Sequence, residues 1–183
     1  MEFIKKNPKK IILSGKAQSG KNETANIIKE YFEKNNKKTV IISYAKYLKD
    51  YIKEITNWDG LEETKPRELL QQLGVELIKN KIDENLLINR IKQDIEVYSY
   101  FFDVIIIGDA RFESEIENIK DENTIVLNIV GKENNLTDEQ KNHITETALN
   151  NYNTYDYIIE NNQTKEELKE QIIKIMEEIR WKI

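Results

Sequence analysis

"LSGKAQSGKNETA", Leu13–Ala25, holds the spacing Gly15-x4-Gly20-Lys21 directly after a β-branched run and directly before a helical pattern. That context gives the spacing its meaning. Two glycines let the backbone fold tightly around an anion, and the N–H groups of residues 16–21 then converge at the positive end of the following helix. Gly15, Lys16, Ala17, Gln18, Ser19, Gly20 and Lys21 are therefore read as a cradle for nucleotide phosphates, continued into the helix by Asn22 and Glu23. Lys21 is expected to reach the outer phosphates of ATP. Asn22 is the irregular member, because a Ser or Thr hydroxyl at this place ordinarily ligates Mg2+. Its amide carbonyl is also a hard oxygen, suited to the ion directly or through water. The alternative is a strand–helix turn that merely contains glycine and lysine; its placement after the first strand of an α/β pattern argues against it.

The same alternation runs along the rest of the chain. "KIILS" (10–14), "TVIIS" (39–43), "DVIIIGD" (103–109) and "TIVLNIV" (124–130) are nearly continuous in Ile and Val, as strands covered on both faces are, with "YDYIIE" (155–160) a weaker fifth. Helical patterns fill the intervals: Lys21–Lys34, Tyr47–Ile55, Pro66–Lys79, Glu84–Tyr98, Glu113–Ile119 and Lys165–Arg180. Thr164 and Glu167 have capping-box spacing before the last of these, and Pro66 suits a helix start. Strand–helix alternation implies right-handed crossovers and a mostly parallel sheet. The fold expected is thus α/β, with a helical insertion between strands 2 and 3 forming a lobe at about 47–100. Without a linker, repeat or low-complexity tract, residues 1–183 read as one domain.

Composition narrows the function classes. The chain of 183 residues has a formal net charge of −5, which argues against a general nucleic-acid binder. Its apolar runs are strand-sized and too short to span a bilayer. The N-terminus lacks the apolar stretch of a signal peptide, and with no cysteine a cytoplasmic location is expected. Asn80-Lys81-Ile82-Asp83 imitates a guanine-reading motif, but it falls before the third strand, so it is read as chance.

Four further stretches acquire meaning together with the loop: "SYAKYLKD" (43–50), "PRELLQQLGVELI" (66–78), "GDARFESE" (108–115) and "HITETAL" (143–149). In order and spacing they resemble the deoxynucleoside monophosphate kinases of the bacteriophage type, from about residue 10 to residue 178. The resemblance implies a three-layer P-loop kinase fold with five strands in the order 2-3-1-4-5. It implies transfer of the ATP γ-phosphate, with Mg2+, to a (deoxy)nucleoside monophosphate, giving the diphosphate and ADP. The family typically has Asp after the loop lysine, so a non-hydroxyl residue there is its habit. The neutral Asn22, and Glu23 where a hydroxyl residue is common, depart further and bear on the metal shell.

Roles for individual residues follow. Lys21, Asp109 and Arg111 are the catalytic candidates. Asp109, at the carboxyl end of a buried strand, is placed to hold Mg2+ through water, with Asn22, or to orient the acceptor; capping the following helix is its other reading. Arg111 suits bidentate contact with a phosphate. The resemblance assigns Arg67 to the acceptor's phosphate and lets Gly74 permit a close backbone approach. Lys49 is a second phosphate contact, and Gln71 and Glu115 offer hydrogen bonds to a base edge. His143, the only histidine, has Glu146 three residues later on an expected helix face, and the pair is read as nucleotide-proximal or as part of a closure between Lys132 and Lys141. Two alternatives stay open: another small-molecule P-loop kinase resembling animal-type phosphomevalonate kinase, and a nucleotide-binding regulatory protein without catalysis. Monomer and homodimer are both compatible with the sequence, and neither nucleic acid nor membrane is expected as a partner.

Overall fold

The computed structural model describes residues 2–132 and 137–180. Its elements are β1 (Lys9–Ser14), α1 (Lys21–Lys34), β2 (Thr39–Ile42), α2 (Tyr44–Thr56), α3 (Arg67–Gln71), a π-helical segment (Gln72–Ile82), α4 (Leu86–Tyr98), β3 (Val104–Ala110), α5 (Glu113–Glu117), β4 (Thr124–Gly131), α6 (Asp138–Asn142), α7 (Ile144–Thr147), β5 (Tyr157–Asn161) and α8 (Lys165–Arg180). All neighbouring strands are parallel, in the order β2-β3-β1-β4-β5. This is the three-layer arrangement expected.

The near-continuous apolar strands are explained by the two faces they serve. Ile11 and Leu13 of β1, with Val104, Ile106, Leu127 and Ile129, pack under α1 and α8 against Ile28, Phe32, Ile172 and Met176. The alternate residues Ile12, Ile105, Ile107 and Val126 face the other layer, with Ile88, Ile91 and Ile116. Successive side chains of a strand point to opposite faces, so a strand buried on both cannot spare a polar position. Each such isoleucine contributes roughly 2–3 kcal/mol by leaving water.

The register breaks where chemistry begins. Ile12 pairs with Ile107, but Ser14 pairs with Ala110, so β3 carries one residue more than β1 over this step. The extra residue reverses the alternation, and Ala110 joins Ile105 and Ile107 in the same core. Bulges of this kind re-aim side chains at strand ends; here the affected residues are Gly108 and Asp109.

Beyond shifts of one or two residues at element ends, three expectations change. The helix expected over Pro66–Lys79 is a short α3 followed by eleven residues of wide π-turns, Gln72–Ile82. Leu70, Gly74 and Ile78 are buried at every fourth position, a spacing that ordinary and wide turns both keep on one side, so the pattern cannot tell them apart. Helix α2 begins at Tyr44, three residues earlier than expected, because Asp109 receives its first amides. The segment around His143 is two short helices, not one. Among the described residues, no helix is long and apolar enough to cross a membrane.

Candidate active site

The loop between β1 and α1 is shaped by three left-handed residues: Gly15 (φ 137°), Gln18 (φ 62°) and Gly20 (φ 99°). Left-handed backbone disfavours a residue with a Cβ by about 1–2 kcal/mol, and Gln18 bears that strain. At Gly20 a Cβ would also stand 2.1 Å from Asn161 Nδ2. That amide, at the end of β5, donates to Ser19 O at 2.9 Å and ties the outer strand to the loop. Lys21 is 7% exposed, and its ammonium folds back to donate to Gly15 O (2.8 Å) and Lys16 O (2.6 Å). Burial, and then the nearby Arg111 guanidinium, push its pKa down to about 7. The loop therefore holds a poorly solvated cation beside backbone amides, an environment that favours an anion.

Opposite the loop, the carboxyl end of β3 supplies Asp109 and Arg111. Both Asp109 oxygens are engaged at the start of α2: Oδ1 accepts from Tyr44 N (2.8 Å) and Oδ2 from Ala45 N (2.9 Å). Asp109 thus caps α2, the helix after β2, where the sequence suggested the helix after its own strand. Tyr44 in turn donates its hydroxyl to Glu115 O at 2.8 Å, fastening α2 to α5. The Arg111 guanidinium donates to Glu146 Oε1 at 2.8 Å.

Glu115 is 7% exposed, and its Oε2 accepts from both Arg111 N (2.6 Å) and Phe112 N (3.1 Å). It shapes the turn that presents Arg111, beyond any contact with a base. Burial outweighs those two bonds and pushes its pKa up to about 7, from 4.5. The folded chain then holds the carboxyl proton more tightly than the unfolded chain does, so this group's contribution to stability is lost as pH rises from 4.5 to about 7. The span corresponds to about 3 kcal/mol. Glu115→Gln, which keeps an acceptor for the two amides, should match the wild type at pH 4.5 and exceed it in stability at pH 8. Urea unfolding at the two pH values checks this, and equal stabilities at pH 8 would refute it.

The lobe between β2 and β3 closes the third side. Arg67 Nη2 and Lys65 Nζ both donate to the carboxylate of Glu62, Lys65 at 3.1 Å. Lys65 is half-buried, and its burial lowers its pKa. Gln71 Nε2 donates to Thr145 Oγ1 at 3.4 Å, linking the lobe to α7. Gly74 is packed against α2, since a Cβ there would come 2.9 Å from Leu48 Cδ1. The close approach it permits is that of a neighbouring side chain.

A cavity of about 790 Å3 lies between these parts. It is lined from the loop side by Ala17, Gln18, Gly20, Lys21, Asn22 and Glu23, and from the β3 side by Asp109, Arg111 and Glu115. Lys49, Arg67, Gln71 and Gly74 line it from the lobe. Gly15, Lys16 and Ser19 are not among the lining residues. His143 is not among the lining residues, whereas Thr145 and Glu146 are. It sits in extended conformation as the cap of α7, Nδ1 accepting from Thr145 N at 3.3 Å. The shared helix face expected for His143 and Glu146 is thereby corrected. Residues 133–136, in the expected closure between Lys132 and Lys141, lie outside the described residues.

Three lining residues escaped the sequence reading or were only half seen. Lys65 was hidden among many lysines, and its one signal is the adjacency to Pro66 and Arg67 at a helix start. Tyr44 had none. Glu146 was noticed only through its spacing from His143.

Asn22 and Asp109 line the same cavity beside the loop. Each Asp109 oxygen accepts one backbone bond and keeps a further lone pair. Among the described residues, no three His, Cys, Asp or Glu side chains gather as a metal site. The donors present fit a hard ion that takes one or two protein oxygens and otherwise phosphate and water, as Mg2+ does.

The chain resembles known proteins in family and in fold. A family model described as deoxynucleotide monophosphate kinase matches residues 30–172. The match begins after the phosphate loop, so loop and family are independent indications. Among solved structures, dephospho-CoA kinase from Campylobacter jejuni is similar at a TM-score of 0.54 and 12% identity, covering 94% of this chain and 97% of that one. Shikimate kinase from Acinetobacter baumannii, in complex with shikimate, is similar at 0.50 and 11%, covering 97% and 96%. At such identities the likeness is one of fold. No curated protein matches the chain significantly.

Proposed function

Given that the chain belongs to the deoxynucleotide monophosphate kinase family, we propose that it transfers the γ-phosphoryl group of ATP to a deoxynucleoside monophosphate. Family and fold make it a small-molecule P-loop kinase, hence a phosphotransferase. The nature of the acceptor is our reading. One observation carries it: the phosphate loop, the Arg111 guanidinium and the lobe cations Lys49, Lys65 and Arg67 all border a single cavity. Two phosphate-binding ends facing each other are what a transfer between two phosphates requires.

Phosphoryl transfer is mostly a matter of holding the two partners in line and compensating charge on the moving group. The loop amides and Lys21 hold the donor's outer phosphates. Arg67 and Lys65 hold the acceptor's phosphate, exchanging Glu62 for it, and Lys49 adds charge on the same side. An acceptor phosphate oxygen then attacks the γ-phosphorus, and the bond to the β-phosphate oxygen breaks, leaving ADP. Arg111, between the two ends, compensates the charge spread over the transferred oxygens. Mg2+, when bound, neutralises part of the donor's charge, and Asn22 and Asp109 are the residues that would hold it. Gln71 and Glu115 border the acceptor's base. Residues 1–183 then act as one kinase unit with the lobe as acceptor site, and the cysteine-free sequence supports a cytoplasmic setting.

An ADP-release assay with ATP and Mg2+ against the common NMPs and dNMPs, with mevalonate phosphate included, tests the reading. Turnover of at least one dNMP is expected. Turnover of mevalonate phosphate alone would move the assignment to another small-molecule kinase. Measurable ATP binding with no acceptor turned over would sink the catalytic reading.

A further inference from the structure

Glu146 is 8% exposed, with both carboxylate oxygens engaged. Its Oε2 accepts from Ala17 N, an amide of the phosphate loop, at 2.6 Å. Its Oε1 accepts from Arg111 Nη1 at 2.8 Å. One carboxylate thus bridges a loop amide on the donor side and the guanidinium that follows β3. Two anionic oxygens, one on an amide and one on an arginine, are also what a phosphoryl group offers to such a pair. The helix that carries Glu146, α7, has four residues, and its neighbour Thr145 is joined to the lobe by Gln71 at 3.4 Å.

We propose that Glu146 is a positioning residue that occupies the subsite of the transferable phosphoryl group until ATP displaces it. The inference rests on the nucleotide site proposed above. While seated, the carboxylate keeps Arg111 extended toward the loop and keeps the Ala17 amide paired. It cannot share the subsite with a phosphate, since two anions would compete for the same donors. Binding of ATP then requires the carboxylate to withdraw, and Arg111 passes from Glu146 to the γ-phosphate. Because Thr145 is tied to Gln71, the withdrawal is transmitted to the lobe that receives the acceptor.

The test compares the wild type with Glu146→Gln and Glu146→Ala in calorimetric titrations with ATP, with inorganic tripolyphosphate and with adenosine. A subsite blocked by a resident ligand lowers apparent affinity by the fraction of time it is open. Both variants should therefore bind ATP and tripolyphosphate tighter, by about tenfold if the subsite is open one part in ten. Adenosine, which has no phosphate, should bind all three proteins alike. In turnover the variants should show a lower KM for ATP together with a lower kcat, because Arg111 has lost its guide. A merely structural glutamate would lower the melting temperature without that split. Equal or weaker phosphate binding by a variant that still melts cooperatively would overturn the proposal while leaving the nucleotide site intact. Binding of neither ATP nor tripolyphosphate by any of the three proteins would overturn the nucleotide site itself, and this proposal with it.

Discussion

Lys21→Met should lower kcat by about 10^3-fold or more while raising the melting temperature. The two effects have one origin. The ammonium is buried, its hydrogen bonds go to the loop carbonyls of Gly15 and Lys16, and its surroundings together push its pKa down to about 7. Burial lowers it most, then the charge of Arg111, and both outweigh the carboxylates of Glu146 and Asp109, so the charge is held in the folded chain at a net cost. The group becomes favourable when a phosphate arrives to share it. Methionine keeps most of the stem's volume and removes the charge, and with it both the cost and the compensation of the transferred group. Thermal melting and steady-state kinetics on the same preparation read the two together. A variant within tenfold of wild-type kcat would mean that Lys21 does not touch the transferred phosphate.

Gly15→Ala has the second large effect, on the fold of the site. A Cβ at this residue would lie 2.3 Å from Ile129 O and 2.9 Å from Ser19 Oγ, on a backbone with φ 137°. The carbonyl belongs to β4, whose register with β1 is continuous through Leu13↔Leu127 and Ser14↔Asn128. The Ser19 hydroxyl can rotate aside, but the Ile129 carbonyl cannot yield without opening the centre of the sheet. We expect a loss of about 3–4 kcal/mol in urea unfolding and no detectable ATP binding. Gly108→Ala is the matched control, since its nearest neighbours would be at 3.7 Å, an ordinary contact. Gly15→Ala that unfolds like the control would show that the loop adapts.

The sequence was most informative where local pattern and burial coincide. Ile11–Leu13 and Val104–Ile107 announce their strands because both faces of the sheet are covered, and α1 spans Lys21–Lys34 as expected. The loop was legible because glycine spacing and strand–helix context are local. What escaped depends on partners distant in the chain. The pairing of Asp109 with the amides of Tyr44 and Ala45 spans 65 and 64 residues, and the Ala17–Glu146 bond spans 129. The wide turns of Gln72–Ile82 escaped for a different reason: a four-residue apolar spacing is common to both kinds of helix. Arg111 was singled out by type and place and Arg67 by the family resemblance, but that they pair with Glu146 and Glu62 was not legible, since nothing in a linear string says which acid meets which base.

The clasp between Asn161 and the loop has a consequence for the order in which the protein is made. Chains leave the ribosome from the N-terminus, and domains commonly begin to fold during synthesis. Residues Gly15–Lys21 emerge early, yet the amide that fixes Ser19 follows 142 residues later. A nascent chain carrying β1 to β4 has four strands and a phosphate loop still missing its clasp. The first part of the proposed nucleotide site to be synthesised is thus the last to be clasped, and the loop gains its tie to the sheet only with the edge strand β5.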